Sequence, residues 1–463
     1  MTNAGGFAMP RAPDPQAPGP LAKTRWDALQ VTLAILLLLQ VWRVQGAIRG
    51  VPLLGLPVLA TVVAVLLLSL DRDPRRRLSG GREPLVRSAL VIVALVIASV
   101  PGSLSPSLSL SFVLKDYLRS VILMLVIAAS IRGLADLRRL AWVQVIGATV
   151  LAAVAVTHSA IGSEGRLSTG ALFYDANDLA MLIVCTLPLV MYLWRPPTGL
   201  LGRVGLGAAT AFMLRTLALT GSRGGFLGFL AMAGYLLMRY HGISKAKRAS
   251  AVALLAVLLV MFASDRYFAR IETILHPSAD YNWSGKSETG RMDIWKRGLG
   301  YMMSHPVFGV GAETFERAEG TLAPQARQRQ QYGQYFQEST AHNSFIQIGA
   351  ELGVLGLVAF IVLLVNAFRT LSAARERSAG EASVLARILT GSLVAFVVTA
   401  TFLSQAYSAY LYALLGMCLG LARLVSPAQA RGSRVRPLPG GPVWGPLPAA
   451  GFQPFARGLK RQA

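Results

Sequence analysis

The chain has 463 residues, of which 54% are apolar or aromatic and 14% charged, about half the charged fraction of a soluble domain. Its mean hydropathy of +0.51 and its repeated apolar runs exclude a soluble Rossmann or barrel enzyme, because a soluble chain of this size cannot hide so much apolar surface. A membrane β-barrel is excluded too, since its strands alternate instead of running solidly apolar. The formal net charge of +23 does not call for nucleic acid, because membrane proteins concentrate Lys and Arg in cytoplasmic loops.

The class expected is therefore all-α, a polytopic membrane protein. Residues 1–26, rich in Pro, Gly and Ala as far as position 22, read as a disordered cytoplasmic arm. No small-residue cleavage site follows the first apolar run, which reads as a retained span and not as a cleaved signal peptide. Apolar runs follow near 27–45, 51–70, 86–101, 112–131, 140–159, 178–194, 200–219, 225–240, 249–263, 344–367, 386–403 and 408–424, giving about twelve transmembrane helices. Basic residues alternate between their connections. Segment 71–84 carries five (Arg72, Arg75, Arg76, Arg77, Arg82), 132–139 three, 239–248 four and 369–387 four, whereas 102–111 and 404–407 carry none. The positive-inside rule then places both termini in the cytoplasm.

One connection, 264–343, is about 80 residues long and lies on the outer side, between the ninth and tenth helices. It carries nine basic residues, nine acidic residues and three of the five histidines. Within it Met292, Trp295, Leu299 and Met302 share the spacing of an amphipathic helix lying on the membrane or packed on the bundle. His305-Pro306 and the glycines at 309 and 311 end that helix. Residues 425–463 read as a disordered, basic cytoplasmic tail suited to anionic lipid. Cys185 and Cys418 sit in apolar runs, and the histidines lack ligand spacing, so neither a disulfide nor a metal site is expected.

The costly polar residues gather at the outer face. Lys115, Asp116 and Arg119 open the fourth helix, and Asp175, Asn177 and Asp178 precede or open the sixth. Arg215 lies within the seventh, and Arg223 follows it in a tight turn. If that helix continues, Arg215 and Arg223 share a face about 12 Å apart. His342 and Asn343 open the tenth helix, with Gln347 and Glu351 following at helical spacing. Plainer readings exist for each: Arg223 snorkelling, Asp116 pairing with Arg119, Asn177 capping a helix. His158, in an apolar run, reads as structural. Charges inside a membrane segment, such as Arg215 and Glu351, are expensive and point to function.

Several guanidiniums at a membrane surface match the oxygens of a lipid-borne pyrophosphate without a metal. A histidine at a helix start is kept neutral by the dipole and suits a general base. Together they describe transfer of a sugar chain to an acceptor hydroxyl. No G-x-x-x-x-G-K-[ST] loop is present, so ATP use is not expected.

Four segments carry a resemblance: Tyr174-Asp175-Ala176-Asn177-Asp178-Leu179-Ala180; Thr220-Gly221-Ser222-Arg223-Gly224-Gly225; Gly290-Arg291-Met292-Asp293-Ile294-Trp295 with His305-Pro306 and Gly309-Val310-Gly311; and Ala341-His342-Asn343-Ser344-Phe345 with Glu351-Leu352-Gly353. In this order, around a long outer loop, they resemble the O-antigen ligase and polymerase superfamily of bacterial inner-membrane glycosyltransferases. The resemblance implies a GT-C-like membrane fold with a periplasmic active site. It also implies a metal-independent, inverting transfer, without a cofactor, of a glycan from undecaprenyl pyrophosphate. It casts His342 as the base and Arg223 and Arg291 as pyrophosphate ligands. Lys115, Arg119, Arg215, Asn177, Asp178, Asn343 and Glu351 are further candidate substrate-binding residues, resting mainly on topology. The acceptor is lipid A-core for a ligase, or a second lipid-linked repeat for an O-antigen or exopolysaccharide polymerase; the ligase reading is preferred. A polysaccharide transporter is a distant alternative, and the halves show no repeat to support it.

Overall fold

The computed structural model describes residues 25–47, 55–78, 83–158, 160–161, 166–168, 174–239, 244–276, 278, 280, 282–284, 288–334, 336 and 338–426. Most of the N-terminal arm, nearly all of the basic tail, Arg82 and the side chain of His158 lie outside them. The described chain is helical apart from one antiparallel pair of two-residue strands, β1 (Ala160–Ile161) and β2 (Leu167–Ser168).

Each apolar run read from the sequence falls on a helix. In chain order these are α1 (Ala28–Gln40), α2 (Leu56–Leu70), α3 (Pro84–Ser99), α4 (Pro106–Phe112), α5 (Leu118–Ser130), α6 (Leu134–His158), α7 (Ala176–Leu193), α8 (Leu200–Thr220), α9 (Arg223–Arg239) and α10 (Lys245–Phe262). A π-helical turn, Val113–Tyr117, joins α4 to α5. After the long connection come α15 (Ser344–Glu376), α16 (Gly380–Ala400) and α17 (Ala409–Leu424). Among these α6, α7, α8, α15 and α16 are long and apolar enough to cross a membrane, while α1, α2, α3 and α17 are shorter apolar helices. This is a membrane protein built of helices.

Helix α17 sits at the centre, buried from Tyr410 to Leu421 and packed on α5, α15 and α16. A helix apolar all round requires such a position. Helix α16 packs on α7 and α9, α7 on α6 and α8, and α15 on α3. In a bilayer these contacts gain little from the hydrophobic effect, so close packing and buried hydrogen bonds do the joining, at about 0.6 kcal/mol per bond. Trp42 donates to Gln144 at 2.7 Å, and the Tyr117 and Tyr412 hydroxyls lie 2.8 Å apart.

Basic residues are structural at one end. Arg76, 5% exposed, is ion-paired to Asp27 and Asp71. Asp136, 1% exposed, holds Arg132 at 3.2 Å and Arg139 at 2.8 Å.

The 264–343 connection folds into α11 (Asp265–Glu272), α12 (Arg291–Ser304), α13 (Phe315–Thr321) and α14 (Pro324–Gln331). Helix α12 packs on α15. Ile294, Arg297, Gly298 and Tyr301 are buried, Trp295 and Met302 of the expected apolar face are half-buried, and Met292 is 37% and Leu299 45% exposed. A buried ion pair adds to the packing: Arg297 Nε donates to Glu319 at 2.9 Å and the Tyr301 hydroxyl donates to the same carboxylate at 2.8 Å, tying α12 to α13. Helix α12 ends at Ser304, before His305-Pro306, as the sequence indicates.

The residues that follow interlock with α15. That helix is broken at Gly353, where φ is +72°. Val310 N donates to Ala350 O (2.9 Å), Gly311 N to Glu351 O (3.0 Å), and Val354 N to Pro306 O (2.8 Å). A Cβ at Gly309 would stand 2.2 Å from the Glu351 carbonyl carbon, and one at Gly353 2.4 Å from Pro306 O. Only glycine lets these two backbones approach so closely.

Candidate active site

Helices α7, α9 and α15 all begin at the end of the bundle opposite the Arg76–Asp136 network, and a cavity of about 580 Å³ opens there. Its walls carry four arginines (Arg166, Arg223, Arg270, Arg291), two aspartates (Asp175, Asp280), Asn177, Asn282 and His342.

Local sequence builds each wall. Helix α8 stops at Thr220 because Gly221 takes a left-handed conformation (φ +59°). The Ser222 hydroxyl then accepts from Gly225 N at 3.1 Å and starts α9, with Arg223 as its first residue. Arg215 and Arg223 therefore belong to different helices and share no continuous face. Small residues at 224 and 225 let α9 press on its neighbours: a Cβ at Gly225 would stand 2.7 Å from the Ala180 Cβ. The Arg223 guanidinium is ion-paired to Asp280, itself 7% exposed, and donates to the Thr273 hydroxyl at 2.7 Å.

Arg291 opens α12 and donates to Phe402 O at 3.3 Å. Trp295, one turn on, donates to Ala341 O at 3.0 Å and stacks edge-on against Trp283. This bond ties α12 to the residue before His342. His342 is held at φ +46°, a left-handed conformation costly for a residue with a Cβ. Its neighbours fix it there. The Asn343 side chain caps α15 by accepting from Phe345 N (2.9 Å) and Ile346 N (3.1 Å), and the Ser344 hydroxyl donates to Leu403 O at 2.7 Å. The Thr340 hydroxyl lies 3.1 Å from the His342 Nε2. Burial and, next, the positive charge of Arg291 push the imidazole down to about 4, Asp175 acting in the opposite sense. The ring is neutral near pH 7, for those reasons more than for a helix dipole.

The other sequence candidates are dispersed. Asn177 lines the cavity, its amide donating to Asp175 at 3.3 Å. The cap of α7 is Asp175, not Asn177. Asp178 accepts from Gln405 Nε2 at 2.8 Å. Asn343 spends its carbonyl on the cap. Glu351, 1% exposed, accepts from Phe315 N at 3.3 Å. Arg215 is exposed on α8. Lys115 is exposed on the π turn, and Arg119 pairs with Asp116 at 2.7 Å. Apart from Asn177, none of these lines the cavity.

Sequence reading missed Arg166, Arg270, Asp280 and Asn282. Arg270, Asp280 and Asn282 lie in a connection with equal numbers of acids and bases, where charge alone selects none of them, and Arg166 lies in a separate connection before α7. Among the described residues no group of three or more His, Cys, Asp or Glu converges as metal ligands do. Cys185 and Cys418 are buried and form no disulfide.

Fold and site together define a polytopic helical membrane protein with an arginine- and histidine-lined cavity at one end of its bundle. Residues 208–361, about a third of the chain, match the model of the family described as O-Antigen ligase. The match includes Arg223, Arg270, Arg291 and His342, whereas Asp175, Asn177 and Phe402 contribute to the cavity from outside it. A Haemophilus influenzae (strain ATCC 51907 / DSM 11121 / KW20 / Rd) protein described as uncharacterized is 21% identical over 165 residues. That alignment takes in 34% of this chain and 41% of the relative, so the chain spans about two fifths of the relative's length.

Proposed function

We propose that the chain is a glycosyltransferase of the ligase type, moving a glycan from undecaprenyl pyrophosphate to a hydroxyl of lipid A-core at the periplasmic face of the bacterial inner membrane. The observation that carries this reading is the convergence of Arg223, Arg291 and His342 on one 580 Å³ cavity. The proposal includes twelve membrane crossings, cytoplasmic termini and a periplasmic 264–343 loop, which the alternation of basic connections supports.

In this scheme the forks of Arg223 and Arg291 hold the pyrophosphate oxygens, with Arg270 and Arg166 adding positive field. Neutral His342 takes the proton of the acceptor hydroxyl as its oxygen attacks the anomeric carbon from the face opposite the phosphate. The bond between that carbon and the phosphate oxygen breaks, and the lipid pyrophosphate leaves with the electron pair, its charge met by the arginines. No metal is required. Binding an anionic donor offsets the charge of Arg291 and so strengthens His342 as a base at the moment it is needed.

The test is transfer by purified protein supplied with an undecaprenyl-pyrophosphate oligosaccharide, with and without lipid A-core. Product that depends on lipid A-core is expected. A ladder of longer lipid-linked chains without it would replace the ligase reading by a polymerase one, and donor that fails to bind would remove the reading altogether.

A further inference from the structure

At the other end of α7, about 27 Å along an 18-residue helix from Asp175, two cavities meet at a single side chain. One, of about 320 Å³, holds the polar side chains of Arg138, Tyr192 and Glu381 beside Gly380, Pro196 and Val384. The other, of about 430 Å³, lies among α7, α8 and α10 and is apolar, lined by Val190, Met191, Gly207, Leu254 and Leu258. Arg195 borders both.

The charges of the polar cavity are largely matched internally. Glu381 accepts from the Tyr192 hydroxyl at 2.7 Å and faces Arg138 at 3.4 Å, and Arg138 also donates to the Thr198 hydroxyl at 2.9 Å. Arg195 is different. Its backbone N–H is bonded to Tyr192 O and its carbonyl accepts from Arg138. Its guanidinium has no hydrogen bond or ion pair with any described residue. With Arg138 offset by Glu381, the junction keeps one net positive charge.

We infer that this pair of cavities is a binding site for one anionic phospholipid, with its phosphate on Arg195, its headgroup in the polar cavity and an acyl chain in the groove between α8 and α10. The groove opens on helix faces that meet lipid, as the 59% exposure of Leu254 and the 46% exposure of Trp194 indicate. Hydrocarbon must fill it, and a phosphodiester is the membrane group that matches an unpaired guanidinium at its mouth. The site does not depend on the transfer reaction proposed above.

The test is native mass spectrometry of the purified full chain in neutral detergent, with phosphatidylglycerol or phosphatidylcholine added. One phosphatidylglycerol is expected to be retained in preference to phosphatidylcholine. Arg195→Ala and Arg195→Gln should each weaken retention about fivefold, the second keeping side-chain bulk in case the first disturbs folding. Gly207→Leu should weaken it too, because a side chain there enters open groove next to the Trp194 ring, 3.8 Å from the Cβ position. Lys247→Ala, exposed on α10 and outside both cavities, should have no effect. Equal retention of the two lipids, indifference to both Arg195 variants, or an equal loss with Lys247→Ala would each overturn the inference.

Discussion

His342 is neutral because it is buried beside Arg291, and both causes have measurable consequences. Its folded-state pKa near 4 lies below the ordinary 6.5, so as pH falls the unfolded chain takes up this proton first. The stability associated with His342 is fully present above about pH 6.5 and is lost progressively toward pH 4. His342→Gln should flatten that part of the stability profile, followed by thermal unfolding in detergent at stepped pH, while lowering transfer at least about a hundredfold. Removing the neighbouring cation acts in the opposite direction on the ring: in Arg291→Gln the His342 imidazole should titrate at a higher pH than in the parent, read by NMR of labelled histidine. A ring that titrates unchanged would mean that Arg291 does not govern it. At Arg223 a lysine should recover little of the donor affinity lost in Arg223→Ala, because a point charge cannot reproduce a fork that reaches Asp280 and Thr273 together.

At the scale of elements, the sequence motifs divide into those that hold substrate groups and those that hold the frame. The Gly309-Val310-Gly311 and Glu351-Leu352-Gly353 segments belong to the frame, since they are the two sides of one backbone interlock. Gly309→Ala forces a Cβ into the Glu351 carbonyl at a positive φ and should cost about 1–3 kcal/mol or more of stability, seen as a lowered melting temperature. Glu351 looked functional in the sequence because a charge in an apolar helix is expensive, but its carboxylate serves the start of α13. The same logic explains α12. Periodicity picked the face of Met292, Trp295, Leu299 and Met302, of which Trp295 and Met302 are half-buried, and it did not show that Arg297 and Tyr301 turn inward to Glu319. A buried ion pair between elements 22 residues apart leaves no periodic trace.

Over the whole molecule, the apolar runs gave the helices because bilayer-length apolar segments have few alternatives to helix, and the Arg and His motifs led to three cavity residues. Asp175 and Asn177, singled out in the sequence, also line the cavity, but its remaining charged walls were not legible. Arg166, Arg270 and Asp280 meet it through the path of two connections that show no repeat and no charge pattern that singles them out. Lys115, Arg119 and Arg215 do not line this cavity, since placement at one end of the bundle does not imply convergence. The topology makes its own prediction. In a cysteine-free background, single cysteines at exposed Lys296 in α12 and exposed Lys247 in α10 should label from opposite sides of intact inner membranes with an impermeant maleimide. Labelling from the same side would break the twelve-crossing arrangement. The site itself is tested most directly by determining the structure of the protein bound to an undecaprenyl-pyrophosphate oligosaccharide. Pyrophosphate density between Arg223 and Arg291, with the anomeric carbon within one hydroxyl of His342, is expected; density for the donor elsewhere, with this cavity empty, would contradict it.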